Sequence, residues 1–222
     1  MKPLVFNEEN TFCITMENSP RWNRMQYRLQ MAGLSATKWN ASTRDTLTDS
    51  FSHHLNDGQK GCSQSHINIY KHMILHQIEY AFVLEDDACF DRNWKEKLDT
   101  FYDTIQDDNW DLILLNASEP IYPLHQWTRV TEQYLTAGYI ISLRGVMKII
   151  KDFHGCYCSS DWMTSRLQLY QHSYSYFPWL IIQEGKDTSI GNHLEADHAK
   201  VVCCLYNISY SLENYILDES MV

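Results

Sequence analysis

Glycine and proline are scarce, with 8 and 5 among 222 residues. That scarcity excludes collagen-like and low-complexity chains. Positive charge is also in short supply: 18 Lys and Arg face 28 Asp and Glu, for a formal net charge of −10 at pH 7. Such a balance disfavours nucleic acid and anionic membranes as non-specific partners, because both are densely negative. An anionic substrate therefore calls for a cation or a local basic pocket. No apolar run approaches the ~20 residues of a spanning helix. Residues 1–9 lack the apolar core of a secretory leader. The expectation is a cytoplasmic protein without a transmembrane segment. Seven cysteines, an odd number, point to free thiols rather than a disulfide framework. His154, Cys156, Cys158, Cys203 and Cys204 match no standard zinc-finger spacing.

What is present is apolar and patterned. Hydrophobic residues make up 44% of the chain, enough for the core of one α/β domain. Strand-like and helix-like segments alternate. Strands are expected over 11–16, 36–41, 80–85, 111–116, 134–142 and 174–183. In the last of these, proline marks an edge or bend. Helices are expected from Ser19-Pro20 to a stop at Gly33, and over 63–78, 94–105, 142–153 and 161–170. Residues 43–60 and 120–127 read as loops, and the last forty residues are ambiguous.

The densest chemistry lies in Tyr80-Ala81-Phe82-Val83-Leu84-Glu85-Asp86-Asp87. A short apolar run, buried on both faces, ends in three carboxylates. Adjacent like charges repel unless a cation or donors compensate them. Open α/β sheets also place ligands at the carboxyl ends of their strands. The triplet therefore reads as a site for Mn²⁺ or Mg²⁺, with the solvated turn or helix cap as the plain alternative. In an extended chain Glu85 and Asp87 point the same way and Asp86 the other. Asp87 and Glu85 are accordingly the candidate metal ligands. Asp87 is the first of these, and Glu85 or Asp86 could contact a ribose or hold a metal-bound water.

Four further stretches follow in order: Cys13-Ile14-Thr15-Met16 with Ser19-Pro20-Arg21-Trp22-Asn23-Arg24; Gly58-Gln59-Lys60-Gly61-Cys62-Ser63-Gln64-Ser65-His66; Trp110-Asp111-Leu112-Ile113; and Ala137-Gly138-Tyr139, Ser160-Asp161-Trp162 and Gln183-Glu184-Gly185. Together with the acid triplet they resemble glycosyltransferase family 25, which holds lipooligosaccharide and collagen β-galactosyltransferases. The likeness spans about residues 11–190 of one domain over 1–222, leaving 191–222 as an uncertain C-terminal extension. Gln59 stands where the family carries glutamate, and Ser159-Ser160 where it carries Pro-Val.

The resemblance implies a GT-A-like, Rossmann-type nucleotide-sugar-binding sheet flanked by helices. It implies an inverting transfer of galactose or glucose from a UDP-sugar to a glycan, lipid-linked saccharide or hydroxylated protein. Asp161 matches the family's aspartate and is the candidate general base, with Glu184 or Asp187 next in line. Arg21, Arg24, Ala41 and His66 are candidates for the nucleotide site beside Asp86, although helix-surface arginines and a core histidine are the plain alternatives. Ser65, Trp162 and Gln183 are candidates for sugar contacts, since a sugar's apolar face stacks on an aromatic ring. His193 and His198 are candidate third metal ligands. A non-catalytic carbohydrate-binding relative and a metal-dependent phosphohydrolase are the competing functions; the latter wants a second acidic cluster.

Overall fold

The computed structural model describes residues 3–184 and 212–217. The elements run β1 (Thr11–Thr15), α1 (Arg21–Met31), β2 (Thr37–Asn40), a 3₁₀ turn (Arg44–Thr46), α2 (Asp57–His76), β3 (Tyr80–Glu85) and β4 (Ala88–Phe90). Then come α3 (Trp94–Asp99), α4 (Phe101–Thr104), β5 (Leu112–Leu114), β6 (Gln126–Arg129), β7 (Gly138–Ser142), α5 (Leu143–Asp152), α6 (Ser160–Gln168), β8 (Ser173–Phe177), β9 (Ile181–Gln183) and a 3₁₀ turn (Leu212–Asn214).

Among the described residues, seven strands form one sheet in the order β2-β1-β3-β7-β5-β8-β6, and β4 and β9 form a small antiparallel pair. β1 is parallel to both β2 and β3, whereas β7 runs antiparallel to β3. The chain is thus α/β with a mixed sheet. At one end the parallel strands have the order 2-1-3, so the chain passes from β1 out to β2 and then crosses back over β1 to β3. The gap between the carboxyl ends of β1 and β3 is a topological switch point, where open α/β sheets bind ligands.

Two apolar clusters cover the two faces. Ala81, Val83, Ile67, Tyr70, Val146 and Met163 lie in one, against α2, α5 and α6. Phe82, Leu84, Met25, Trp94 and Phe101 lie in the other, against α1, α3 and α4. β3 is therefore buried on both sides, as its unbroken apolar run requires. The same alternation puts Glu85 on the face of Ala81 and Val83, beneath α2.

Several expected boundaries move. Helix α2 begins at Asp57, six residues before the start expected at 63. Asn56 Oδ1 accepts from Gln59 N at 2.8 Å, and Gln59 Oε1 accepts from Asn56 N at 3.0 Å. This reciprocal capping box starts the helix early, with glutamine doing the capping work of a glutamate. The helix expected over 94–105 breaks at Thr100. Thr100 Oγ1 and Trp127 Nε1 both donate to the Lys97 carbonyl, at 2.6 and 3.1 Å, drawing it away from the helix ladder. The strand expected over 174–183 is two strands separated by Pro178, which has no N–H for a ladder. The strand expected over 134–142 starts only at Gly138, because Glu132 and Leu135 have φ of 58° and 80°. Residues 126–129, within and beyond an expected loop, form edge strand β6, in which only Trp127 is buried. No helix among the described residues is long and apolar enough to cross a membrane. Among the described cysteines, Cys13, Cys62, Cys156 and Cys158 are free thiols.

Candidate active site at the end of β3

Extended structure stops at Glu85, and Asp86 and Asp87 occupy a turn. The strand alternation expected of the triplet therefore ends one residue early, and the three carboxylates separate differently. Asp86 turns toward β1 and α1. Its Oδ2 accepts from Thr15 Oγ1 at 2.6 Å and Ser19 Oγ at 3.0 Å. Arg21 Nη1 lies 3.4 Å from Asp86 Oδ1 and 3.6 Å from Asp87 Oδ2. Asp86 and Asp87 thus share an arginine from the first turn of α1.

Glu85 faces the opposite way. Thr136 Oγ1 donates to its Oε1 at 2.7 Å, and His66 Nε2 stands 3.3 Å from the same oxygen. That last contact has ion-pair distance but not hydrogen-bond alignment, since Nε2 has no hydrogen-bond partner. Burial works against the charge on Glu85, but His66 and Thr136 outweigh it and hold its pKa below the usual range. Asp87 differs. Burial and the neighbouring Glu85 charge, opposed by Arg21, push its pKa up to about 7. Its Oδ1 is buried without a hydrogen-bond partner.

A cleft of about 510 Å³ opens beside the acid turn, lined by Glu85, Thr136, Asp161, Trp162, Gln183 and Cys62 among others. Each comes from a different constraint. Asp161 lies in the first turn of α6, with Oδ1 accepting from Trp162 N at 2.9 Å. Trp162 is 61% exposed and lines the cleft. Gln183 is carried in by β9, whose register pairs it with Ala88, while Glu184 N donates to the Asp87 carbonyl at 2.8 Å. Ser52, His54 and Leu55, from the segment before α2, complete that side.

These observations belong beside known proteins. The model of "Glycosyltransferase family 25 (LPS biosynthesis protein)" matches residues 9–130, more than half of the chain. The chain belongs to glycosyltransferase family 25. Procollagen galactosyltransferase 1-B of Xenopus laevis is 34% identical over 106 residues, covering 43% of this chain and 17% of that protein. A "Probable inactive glycosyltransferase 25 family member 3" of Rattus norvegicus is 25% identical over 176 residues, covering 67% of this chain and 31% of that protein. These matches therefore span less than a third of the relatives' length. A solved glycosyltransferase involved in glycosylation of the major capsid of PBCV-1 superposes with a TM-score of 0.35 at 8% identity, over 86% of this chain and 97% of that one. A fit that loose carries no weight here.

For this family-25 chain, the structure brings Glu85, Asp161, Trp162 and Gln183 to one cleft. It groups Asp86, Asp87 and Arg21 on the α1 side of the same turn. Ala41 directly follows β2 beside β1, its N–H donating to the Thr15 carbonyl at 2.8 Å. Three candidates sit apart from these groups. Arg24 is 2.9 Å from Glu184, which also binds Arg28 at 2.8 Å; this buried carboxylate is committed to arginines and is badly placed to act as a base. Ser65 is buried, donating to the Gly61 carbonyl and accepting from Ser42 N, each at 2.8 Å, so it anchors the loop after β2. His66 is fully buried, 2.8 Å from Tyr139 Oη through Nδ1, and reaches the site only through Glu85. His193, His198, Asp187, Cys203 and Cys204 lie outside the described residues.

Sequence reading missed Thr136, Cys62 and Ser160, which ring Glu85. Thr136 Oγ1 is 3.1 Å from Ser160 Oγ, which is 3.7 Å from Cys62 Sγ. The only signal was position: each directly adjoins or falls within a stretch already singled out.

Proposed function

We propose that this chain is a metal-dependent, inverting glycosyltransferase. It would move galactose or glucose from a UDP-sugar to a hydroxyl of a glycan, lipid-linked saccharide or hydroxylated protein. The observation that carries this reading is the acid turn at the β1/β3 switch point, with Asp87 Oδ1 buried and unpartnered. A buried carboxylate oxygen without a donor is costly, and a divalent cation relieves that cost. The donor set suits Mn²⁺ or Mg²⁺, which prefer carboxylate oxygen. Asp87 would hold the ion.

When bound, the ion neutralises charge developing on the departing diphosphate. The chain's own groups supply the rest. Arg21 lies against Asp86 and Asp87 at the start of α1, where its cation and the helix N-terminus favour an anionic donor. Asp86 holds that helix start to β1 through Thr15 and Ser19. In the cleft, the exposed Trp162 ring offers a stacking face, and the Gln183 amide can exchange hydrogen bonds with sugar hydroxyls. Inversion needs a base that takes the acceptor proton while the hydroxyl attacks opposite the leaving group. Asp161 lines the cleft from a separate element and fits that role.

The test is transfer kinetics with UDP-galactose and UDP-glucose against a panel of saccharide and hydroxylated-peptide acceptors in Mn²⁺. Asp161→Asn should lower kcat about 10²–10⁴-fold, the size of a general-base contribution. UDP affinity should stay at the wild-type value. Wild-type kcat in Asp161→Asn would remove the base assignment. Absence of transfer by the wild-type chain, combined with saccharide binding that ignores UDP, would favour a carbohydrate-binding relative instead.

A further inference from the structure

The cleft wall holds a second set of ligand-type atoms that the transfer reading does not use. Cys62 and His66 are four apart on α2, so they share one helix face. That face meets Glu85 at the end of β3. The Cys62 thiol, one His66 nitrogen and a Glu85 oxygen all lie within 4.8 Å of one another. We propose that Cys62, His66 and Glu85 form a binding site for a borderline-soft divalent ion of the zinc class, with its fourth position open to the cleft.

Three observations support the site beyond proximity. First, His66 is fully buried and its Nε2, aimed at Glu85, has no hydrogen-bond partner. Second, Nε2 and Glu85 Oε1 are 3.3 Å apart. Two ligand atoms about 2.05 Å from one tetrahedral zinc ion lie about 3.3 Å from each other. A direct Nε2–H···O bond should be aligned, and this contact is not. Third, His66 Nδ1 is 2.8 Å from Tyr139 Oη, itself 2.7 Å from Tyr70 Oη. With Nδ1–H donating to Tyr139, the Nε2 lone pair is left for a metal, as ligating histidines are commonly arranged. Cys62 and Glu85 line the 510 Å³ cleft, so water or an oxygen of the cleft's occupant can complete the coordination. Thiolate and imidazole distinguish this site from the oxygen-rich acid turn, and its existence does not depend on the transferase reading.

The probe is Co²⁺ titrated into the full chain under a non-thiol reductant, followed by absorption. The expected result is one tightly bound equivalent with a sulfur-to-cobalt charge-transfer band. Cys62→Ser should abolish the band and weaken Co²⁺ by more than about 100-fold, and His66→Gln should weaken it comparably. Tyr139→Phe should cost about tenfold, as for a group that orients a ligating histidine. Asp87→Asn should retain the band, which separates this site from the one proposed for the donor. Thermal melts establish that each variant is folded. No band in the wild-type chain would overturn the proposal, as would a band that survives Cys62→Ser or an unchanged Co²⁺ affinity in His66→Gln.

Discussion

Asp86 and Asp87 are neighbours with opposite surroundings. Asp86 has two hydroxyl donors and shares Arg21, so its carboxylate is part of what holds α1 to β1. Asp87 has a buried oxygen that nothing satisfies and a neighbouring Glu85 charge that opposes ionisation. Replacing Asp86 by Ala strands the Thr15 and Ser19 hydroxyls, so it should cost about 1–3 kcal/mol in urea unfolding. Asp87→Asn should leave the Tm unchanged or raise it, because it removes an ill-satisfied charge from the metal-free protein. The reverse ranking would mean that the two side chains are interchanged. The sequence showed that three acids end this strand. It could not show how they divide, because that depends on where extended backbone stops. The turn after Glu85 is set by β4 pairing with β9, almost a hundred residues away in the chain.

Helix α2 illustrates which local signals are strong. Its apolar stripe was legible at helical spacing, but its first turn was hidden behind Gly58 and Gly61, both poor helix formers. Gly61 is there for packing: a Cβ on it would lie 2.4 Å from the Ser42 carbonyl oxygen. Gly61→Ala should therefore force the helix off the loop after β2, with a cost of about 1–3 kcal/mol from overpacking. The helix also clasps the segment before it. Gln64 Oε1 accepts from Thr48 N at 2.9 Å and Asp49 N at 3.0 Å, while Asp49 accepts from Gln64 Nε2 and Lys71 Nζ. Burial opposes ionisation of Asp49, but the bonds from Lys71 and Gln64 prevail and lower its pKa. A depressed carboxylate pKa gives stability that is present above the unfolded value, about 3.9. That stability is lost as pH falls through the lower folded value. The protection of amides over 47–56, after correction for the pH dependence of intrinsic exchange, should accordingly fall as pH drops below about 4 in the wild-type chain. Asp49→Asn should show faster exchange already at neutral pH. Exchange indifferent to both would mean the clasp does not hold this wall of the cleft.

For the molecule as a whole, alternation of strands and helices was enough to read an α/β sheet, because β3, β5 and β7 are apolar on both faces. The edge strand β6 was not legible, since its sequence buries only Trp127 and looks like loop. The candidate site was half legible. Asp161, Trp162, Gln183 and Glu85 do converge on one cleft, because the sheet and the β4–β9 pair fold them together. Arg24 and Ser65 meet Glu184 and the loop after β2, and His66 reaches the cleft through Glu85, placements that a linear sequence does not distinguish from direct ligand contact. The proposed donor site lies at the switch point between β1 and β3, the kind of place where open α/β sheets bind ligands. Calorimetric titration of UDP with and without Mn²⁺, on the wild-type chain and on Asp87→Asn, tests that directly. The expected result is Mn²⁺-dependent UDP binding in the wild type that is nearly abolished in a folded Asp87→Asn. UDP binding that ignores Mn²⁺, or wild-type Mn²⁺–UDP affinity in the variant, would contradict it.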